Sequence, residues 1–354
     1  MAGRSAVGLD IGTSCVRAAE VSLGKGSPRL ERFGQVALPV GAVRDGEVID
    51  VDIVAGALKK LWSDVKFGSK KVALGVSNQK VVVRQVDVPW MEHAELKKAL
   101  AYQVADMIPM PIEQAILDFY PVEEFNNDNG ERMQRLLLVA AARDMVASAL
   151  EAVHRAGLKP VSVDLSPFAV IRSLADHDHL GLDNYAEAIV DIGAKVTNIA
   201  VHQGGTPRFV RILLMGGGDL TEAVAERMGV PLEQAEMTKH QLGIPATPAD
   251  RDGHPASRVI ETSASALVEE VRGSLDYYLA SPGAVPIRRV IVAGGGAKLT
   301  NLAAKLSAAT RLPVDIAAPM GAMRIGKTGL TDEQLAHIDS LVAVPVGLAL
   351  GVAS

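Results

Sequence analysis

Residues 7–14 of this chain read VGLDIGTS, an apolar run that ends in an aspartate, a glycine and two hydroxyl side chains. The same pattern returns at residues 188–193 as AIVDIG. In both places the apolar run predicts a buried strand, and the glycine predicts a tight turn into a second strand. A third strand follows each hairpin, at residues 30–38 and 209–214. We therefore expect two copies of one three-stranded antiparallel meander.

The spacing of the two copies indicates a duplicated lobe, because the period is far longer than that of solenoid repeats. A chain of 354 residues also exceeds what a single hydrophobic core usually supports. Its composition is that of a folded protein, with 48% hydrophobic and 22% charged residues. We expect two lobes, each with a further subdivision, and no long disordered segment.

Charge and cysteine content restrict the class of partner and the compartment. The formal net charge is −5, which gives no electrostatic reason to bind nucleic acid or an anionic bilayer. Cys15 is the single cysteine, which excludes internal disulfides and Cys-rich metal sites and fits a reducing cytoplasm. Residues 1–5 show no basic segment followed by an apolar signal core, so we expect no export by that route.

The segments between and after the two meanders are predicted from periodicity. Residues 51–66 have apolar side chains at helical spacing, and residues 81–158 read as strand, helix, strand, strand and helix, an inserted α/β subdomain. Residues 220–280 are predicted to be mostly helical, with a polar loop at 243–254. The apolar stretch 341–352 contains Pro345 and is too short for a membrane span, so it predicts a buried terminal helix.

The two hairpin turns have the residues that a phosphate site needs. Glycine lets the backbone approach an anion, and the hydroxyls and amides of Thr13 and Ser14 can point at phosphate oxygens. A carboxylate beside phosphate makes sense if Asp10 holds a hydrated Mg²⁺. Asp191 offers the matching group on the second hairpin. Either hairpin alone is better explained as an ordinary turn, and it is the repeat that favours a phosphate clasp.

Glycine-rich turns follow the second hairpin. Residues 289–299 read RVIVAGGGAKL, a strand that ends in three glycines, where backbone could pack flat against an adenine ring or a ribose. The glycines at 216–218 could form the floor of the same pocket. Glu236 and Lys239 lie three residues apart on a predicted helix and could reach the ribose, although such a pair is more often a solvated surface contact.

With these motifs in place, the sequence resembles the actin, Hsp70 and sugar-kinase superfamily. Within it, the chain is similar to the PilM family of type IV pilus assembly proteins, relatives of the division protein FtsA. The resemblance covers nearly the whole chain, including residues 344–351, VPVGLALG. It implies an α/β actin-like ATPase fold with two ribonuclease-H-like lobes and an inserted subdomain at the position found in FtsA.

The resemblance also implies domain boundaries and a set of ligand contacts. Lobe 1A comprises residues 1–80, 159–187 and 340–354, the inserted subdomain 1C residues 81–158, lobe 2A residues 188–219 and 281–339, and subdomain 2B residues 220–280. Asp10 and Asp191 are expected to hold Mg²⁺ largely through water. The residues expected to contact ATP are Asp10, Gly12, Thr13, Ser14, Asp191, Gly193, Ala194, Lys195, Thr197, Gly216, Gly217, Gly218, Glu236, Lys239, Gly294, Gly295, Gly296 and Lys298.

One position departs from the superfamily pattern. Many relatives place a Glu or Gln near the start of the helix after residues 163–165, where it orients the attacking water, and here that position is Ser166. A hydroxyl is a poor base, so we expect ATP binding with slow or absent hydrolysis. Asp164 is a nearby alternative, but strand alternation does not aim it at the same cleft.

Three other side chains are weaker candidates. His177 and His179 could suggest a metal, but without cysteine support they read as solvated loop residues. Cys15 reads as a small core residue and not as a nucleophile.

The family resemblance implies a cytoplasmic scaffold at the inner membrane, held there through its partners. The expected partner is the N-terminal cytoplasmic peptide of the membrane protein PilN, in the groove between lobe 1A and the inserted subdomain, with residues 81–88 and 94–107 as walls. Other pilus platform or motor proteins are expected as well. A sugar or small-molecule kinase of the same superfamily is the alternative, although it needs a carboxylate base between the lobes. An FtsA-like division role predicts a C-terminal amphipathic membrane helix, whereas this sequence ends at Ser354 after an uncharged apolar stretch.

Overall fold

Two glycine turns with the same hydrogen bond begin the two halves of the protein. In the computed structural model, which describes residues 4–24, 26–175 and 184–353, Gly12 N donates to the Cys15 carbonyl at 3.0 Å, and Gly193 N donates to the Val196 carbonyl at 2.9 Å. Each turn joins two antiparallel strands. The predicted hairpins are therefore present in both halves.

Sixteen strands and eleven α-helices make up the described part of the chain. The strands are β1 (Arg4–Ile11), β2 (Cys15–Leu23), β3 (Arg29–Ala37), β4 (Val43–Arg44), β5 (Glu47–Val48), β6 (Lys71–Val76), β7 (Val81–Pro89), β8 (Ala115–Asn126), β9 (Arg132–Ala142), β10 (Lys159–Leu165), β11 (Ala186–Ile192), β12 (Thr197–Gln203), β13 (Thr206–Leu213), β14 (Ile287–Ala293), β15 (Val314–Ile316) and β16 (Arg324–Ile325). The helices are α1 (Val51–Val65), α2 (His93–Gln103), α3 (Arg143–Arg155), α4 (Ser166–Leu174), α5 (Gly217–Met228), α6 (Leu232–Leu242), α7 (Pro248–Gly253), α8 (Pro255–Leu279), α9 (Leu302–Thr310), α10 (Asp332–Ile338) and α11 (Ala343–Ala353).

Two sheets repeat one topology. The first sheet has the order β10-β6-β1-β2-β3-β16 and the second the order β13-β12-β11-β14-β15. In each, a meander of three antiparallel strands continues into two strands that run parallel to the first one, β6 and β10 in one sheet and β14 and β15 in the other. We call the first sheet and its helices lobe 1, and the second sheet and its helices lobe 2. The predicted duplication is confirmed.

Two helices pack between the sheets and form the shared core. Residues of α4 and α11 share one hydrophobic cluster with β11 and β14 of lobe 2. Val346, Leu348 and Ala349 of α11 are at most 1% exposed. The predicted buried terminal helix is therefore confirmed. Within residues 4–24, 26–175 and 184–353, no single helix is long and apolar enough to cross a membrane. By length and composition only a bent pair passes, Asp332–Leu341 with Ala343–Val352, at 77°.

A separate three-stranded sheet, in the order β7-β9-β8, lies between β6 and β10 in the chain. Together with α2 it is called the inserted sheet below. Its core packs α2 against the strands through Leu96 and Leu100. Helix α3 packs both in the cluster of α1 and the first sheet and, through Met145 and Val146, against β7 and β9. The sequence-based domain boundaries stay a prediction.

Two predictions of secondary structure are wrong in detail. The polar loop at 243–254 contains α7, because Thr247 forms a capping box: its hydroxyl accepts from Asp250 N at 3.2 Å, and its own amide donates to the Asp250 carboxylate at 3.0 Å. The helix predicted at 94–107 ends at Gln103, since Val104 leaves the helical conformation with φ −118° and is fully buried. A 3₁₀ turn, Ala105–Met107, follows.

Candidate functional site

The two hairpins place one polar side chain opposite each aspartate. In lobe 1 the strand register pairs Asp10 with Arg17, and in lobe 2 it pairs Asp191 with Asn198. Arg17 Nη1 lies 3.5 Å from Asp10 Oδ2, and Asn198 Nδ2 donates to Asp191 Oδ2 at 3.2 Å. Because each partner is the seventh residue after its aspartate, Arg17 and Asn198 are equivalent under the duplication.

Both aspartates are shielded from water, and their pKa values reflect it. Burial raises the pKa of Asp10, while the neighbouring Arg17 charge and hydrogen bond lower it. Burial raises the pKa of Asp191 to about 6, against the lowering effect of the Asn198 hydrogen bond, and the charge of Asp10 raises it further. Two carboxylates with one nearby guanidinium leave an excess of negative charge in this place. A cation between them would offset that charge.

Two adjoining cavities open around the hairpins. The smaller, of about 70 Å³, is lined by both aspartates, and the larger cleft measures about 1010 Å³. Predicted site residues that line the smaller cavity are Asp10, Gly12, Thr13, Ser14, Ser166, Asp191, Gly193, Ala194, Gly294 and Gly295. Those that line the cleft are Thr13, Ser14, Gly193, Ala194, Lys195, Gly217, Gly218, Glu236, Lys239, Gly295, Gly296 and Lys298. The fold thus brings nearly all of them together.

Two predicted contacts do not line either cavity. Thr197 is fully buried, and its hydroxyl donates to the Met215 carbonyl at 2.8 Å. Gly216 packs against lobe 2 itself, since a Cβ there would lie 2.4 Å from the Gly193 carbonyl oxygen. Both residues therefore pack within lobe 2 and stabilise the turn at Gly193. The sequence could not separate them from their neighbours, because a hairpin turn exposes some residues of a motif and buries others.

The glycines at 294–296 pack closely against the second hairpin. Gly294 has φ +79°, and a Cβ there would lie 2.5 Å from the Ile192 carbonyl oxygen and 2.6 Å from Asp191 Oδ1. A Cβ at Gly296 would lie 2.3 Å from Ile192 Cγ2, whereas Gly295 faces open space. Packing therefore requires glycine at 294 and 296, and the predicted contact of this turn with a nucleotide stays a prediction.

Glu236 and Lys239 line the cleft and form a hydrogen-bonded cluster with Thr221. Lys239 is 5% exposed, and its ammonium donates to the Gly217 carbonyl at 2.9 Å, to the Thr221 hydroxyl at 2.9 Å and to Glu236 at 2.7 Å. Lys239 is thus not a solvated surface residue, whereas 44% of the Glu236 side chain is exposed. Thr221 also donates to Glu236, whose other carboxylate oxygen lies 2.9 Å from His240 Nε2. The predicted contact with a ribose stays a prediction.

Two lysines of the cleft, Lys195 and Lys298, differ in whether acidic side chains balance their charge. Lys195 pairs with Asp219 at 2.7 Å and with Glu222, so its charge is already balanced. Lys298 has no acidic partner among the described residues, and burial together with the Arg17 charge lowers its pKa. A group that is hard to keep protonated beside another cation favours an anionic ligand.

Ser166 lies at the start of α4, is 3% exposed and lines the smaller cavity with both aspartates. Asp164, the alternative, pairs with Arg172 and lines neither cavity, as strand alternation predicted. Cys15 is buried, and burial raises the pKa of its thiol, which agrees with a core residue. His177 and His179 lie outside the described residues.

Arg17 and Asn198 are the site residues that the sequence reasoning missed. A signal existed for Arg17, because it is a charged residue within the apolar strand CVRAAEV, and both residues occupy the same place after the two DIG motifs. The donor set also fits a hydrated Mg²⁺, since the carboxylates of Asp10 and Asp191 line one small cavity. A divalent ion there would supply positive charge to a bound phosphate.

With this geometry established, the chain can be compared with known proteins. A family model described as type IV pilus assembly protein PilM matches residues 8–352. The chain belongs to the PilM family. The family resemblance drawn from the sequence is thus confirmed, and with it a place among the actin-like proteins of type IV pilus assembly.

Known structures and sequences place the PilM family chain among actin-like folds. It is 29% identical to a chain in a solved PilM-PilN type IV pilus biogenesis complex, with a TM-score of 0.85, covering 99% of this chain and 98% of that one. MreB5 of Spiroplasma citri bound to ADP shares the fold at 15% identity and a TM-score of 0.53, covering 98% and 95%. FtsA of Bacillus subtilis (strain 168) is 25% identical over 259 residues, 67% of this chain, and the chain spans 58% of that relative. The predicted actin-like ATPase fold is confirmed.

Proposed function

We propose that this PilM family chain binds Mg·ATP between its lobes and acts as a cytoplasmic scaffold of the type IV pilus inner-membrane platform. Its proposed partner is the N-terminal cytoplasmic peptide of PilN, and its hydrolysis of ATP is slow or absent. It stays at the membrane through partners, which include other platform or motor proteins. The observation that carries the proposal is the convergence of two equivalent aspartate hairpins on one cleft, in a family whose members assemble pili.

Each part of the site has a role under this proposal. The phosphates would bind between the two turns, because residues of both turns line the cleft. These residues are Thr13 and Ser14 of one turn and Ala194 and Lys195 of the other. Arg17 would neutralise phosphate charge beside Asp10. Glu236 would accept from the ribose hydroxyls, since Thr221 and Lys239 already orient its carboxylate.

Slow hydrolysis follows from what lines the smaller cavity. A nucleophilic water needs a group that orients it and accepts its proton. Ser166 can orient water, but a hydroxyl is a poor base at neutral pH. The two carboxylates of the cavity would be engaged with the magnesium ion and its water. The protein would therefore hold ATP for long periods and signal by occupancy.

The peptide part of the proposal is supported by similarity over both whole chains to a member of a PilM-PilN complex. The walls suggested by the sequence correspond to β7 and α2 of the inserted sheet. Strand β7 is an edge strand there, since β9 is its only hydrogen-bonded neighbour in the described sheet. An edge strand is a surface to which an extended peptide can add.

Calorimetric titration tests the proposal in two arms. The first arm titrates Mg·ATP into the wild type, Asp10→Ala, Asp191→Ala and the exposed control Asp64→Asn. We expect binding to the wild type and control and strongly weakened binding to the two variants. The second arm titrates a peptide with the sequence of the PilN cytoplasmic tail. No ATP binding by the wild type would refute the nucleotide part, and no peptide binding with or without Mg·ATP would refute the scaffold part.

A further inference from the structure

A short hydrogen bond joins the two lobes beside the two hairpin turns. Ser77 follows β6 of lobe 1, and its hydroxyl donates to Asn198 Oδ1 of β12 in lobe 2 at 2.5 Å. Asn198 is 4% exposed, and both residues line the smaller cavity. The length of this bond therefore depends on the relative position of the lobes at the site.

The other end of the same amide holds Asp191. Asn198 Nδ2 donates to Asp191 Oδ2 at 3.2 Å. An amide has its acceptor and its donors on opposite sides, so a donor at the acceptor side fixes the NH₂ toward the carboxylate. Ser77 thus acts on Asp191 through Asn198, and it is a positioning residue.

Ser77 also lies just before the first strand of the inserted sheet. Asn78 is 1% exposed, and its side chain donates to the Asp45 carbonyl at 2.6 Å and accepts from Lys80 N at 2.7 Å. Strand β7 begins immediately afterwards, at Val81. Gly46 packs on this segment so closely that a Cβ would lie 1.9 Å from the Ser77 carbonyl oxygen. A displacement of Ser77 is therefore transmitted to β7 and not absorbed by a loose loop.

A second contact ties the inserted sheet to lobe 2. Gln85, in the middle of β7, donates its amide to the Arg208 carbonyl of β13 at 2.7 Å. The Arg208 guanidinium lies 3.6 Å from Glu123 of β8. The inserted sheet belongs in sequence to lobe 1, yet it contacts the β12–β13 hairpin of lobe 2 at its base and along β7. Any rotation of the lobes has to change both contacts.

We propose that the Ser77–Asn198 hydrogen bond couples the phosphate site to the inserted sheet, so that bound nucleotide changes the affinity of the β7 surface for its peptide. The proposal rests on the proposed function. A ligand that clasps both hairpins favours the lobe arrangement in which Asn198 meets both Ser77 and Asp191. The same arrangement sets the position of β7. Coupling is reciprocal, so the peptide changes nucleotide affinity by the same factor.

The test is a thermodynamic cycle on the full chain. The dissociation constant of a PilN-tail peptide is measured by calorimetry with and without saturating Mg·ATP, and the ratio is the coupling factor. The variants are Ser77→Ala, Ser77→Thr, which keeps the hydroxyl, and Ser265→Ala, a control whose hydroxyl donates only within α8. We expect a wild-type factor of about fivefold or more, in the usual range of coupling between sites.

For Ser77→Ala the factor falls towards one, while Ser77→Thr and Ser265→Ala keep most of it. A merely structural role for Ser77 would weaken both ligands and leave their ratio unchanged, and that result overturns the proposal. A wild-type factor of one, with both ligands bound, overturns it as well. If the wild type binds no nucleotide or no peptide, the proposed function itself is refuted. That result is distinct from a coupling factor of one, which refutes only the coupling.

Discussion

Replacement of Asp191 by asparagine tests the electrostatics of the site. Burial is the main cause that raises the pKa of Asp191 from 3.8 to about 6. Since each pKa unit corresponds to about 1.4 kcal/mol, the ionised carboxylate destabilises the ligand-free protein by about 3 kcal/mol at neutral pH. Asparagine has the same shape and no charge, and its carbonyl can still accept from Asn198. Asp191→Asn is therefore expected to be more stable than the wild type without ligand.

The sign of the pH dependence follows from the raised pKa. Between about pH 4 and pH 6 the folded state binds the proton more tightly than the unfolded state, so this group's contribution to stability decreases as the pH rises through that window. Above pH 6 the full destabilisation is present. The advantage of the variant is thus largest at pH 8 and approaches zero at pH 4.

Thermal unfolding of the wild type and Asp191→Asn at pH 8 and pH 4, each without ligand, measures this difference. The same scans with Mg·ATP at pH 8 should reverse the order, because under the proposed function the carboxylate that destabilises the ligand-free protein is the one that would hold the magnesium ion. A variant less stable than the wild type at pH 8 without ligand would contradict the electrostatic account. An equal advantage at both pH values would show that charge is not its source.

Three further substitutions test separate parts of the site. Arg17→Ala removes the guanidinium beside Asp10 and should weaken ATP binding roughly tenfold to a hundredfold in calorimetry, since hydrogen bonds to charged groups contribute about 1.5–3 kcal/mol; full affinity would remove Arg17 from the phosphate site. Gly294→Ala should lower the free energy of unfolding by at least about 2 kcal/mol, because the residue has φ +79° and its new Cβ would lie 2.5 Å from the Ile192 carbonyl oxygen. Gly295→Ala is the matched control, because a Cβ there faces open space. Ser166→Ala should leave the rate of phosphate release nearly unchanged, because loss of a real general base lowers a rate about 10²–10⁴-fold, and a decrease of that size would show that Ser166 does catalyse.

The duplicated sheet topology could be predicted because its signals are local. Each DIG motif fixes a turn by its glycine, and the apolar strands on either side follow from a run of neighbouring residues. The capping box of Thr247 was just as local, yet a polar composition concealed it. Short helices have few residues with which to show periodicity, so caps are the better signal for them.

The contact between Ser77 and Asn198 could not be predicted in the same way. It joins residues that are 121 positions apart in the sequence. Such contacts depend on register and on the packing of whole lobes. Lys239 shows the same limit, since only the placement of α6 against α5 decides whether its ammonium is buried or solvated.

The difference between Arg17 and Asn198 has a consequence for the direction in which a ligand can lie. A site with two identical halves would bind a chain of phosphates equally well in either orientation. Here one half carries a guanidinium and the other an amide at the equivalent position. Under the proposed function the two orientations would therefore differ in binding energy, and the phosphate chain would lie in a single direction.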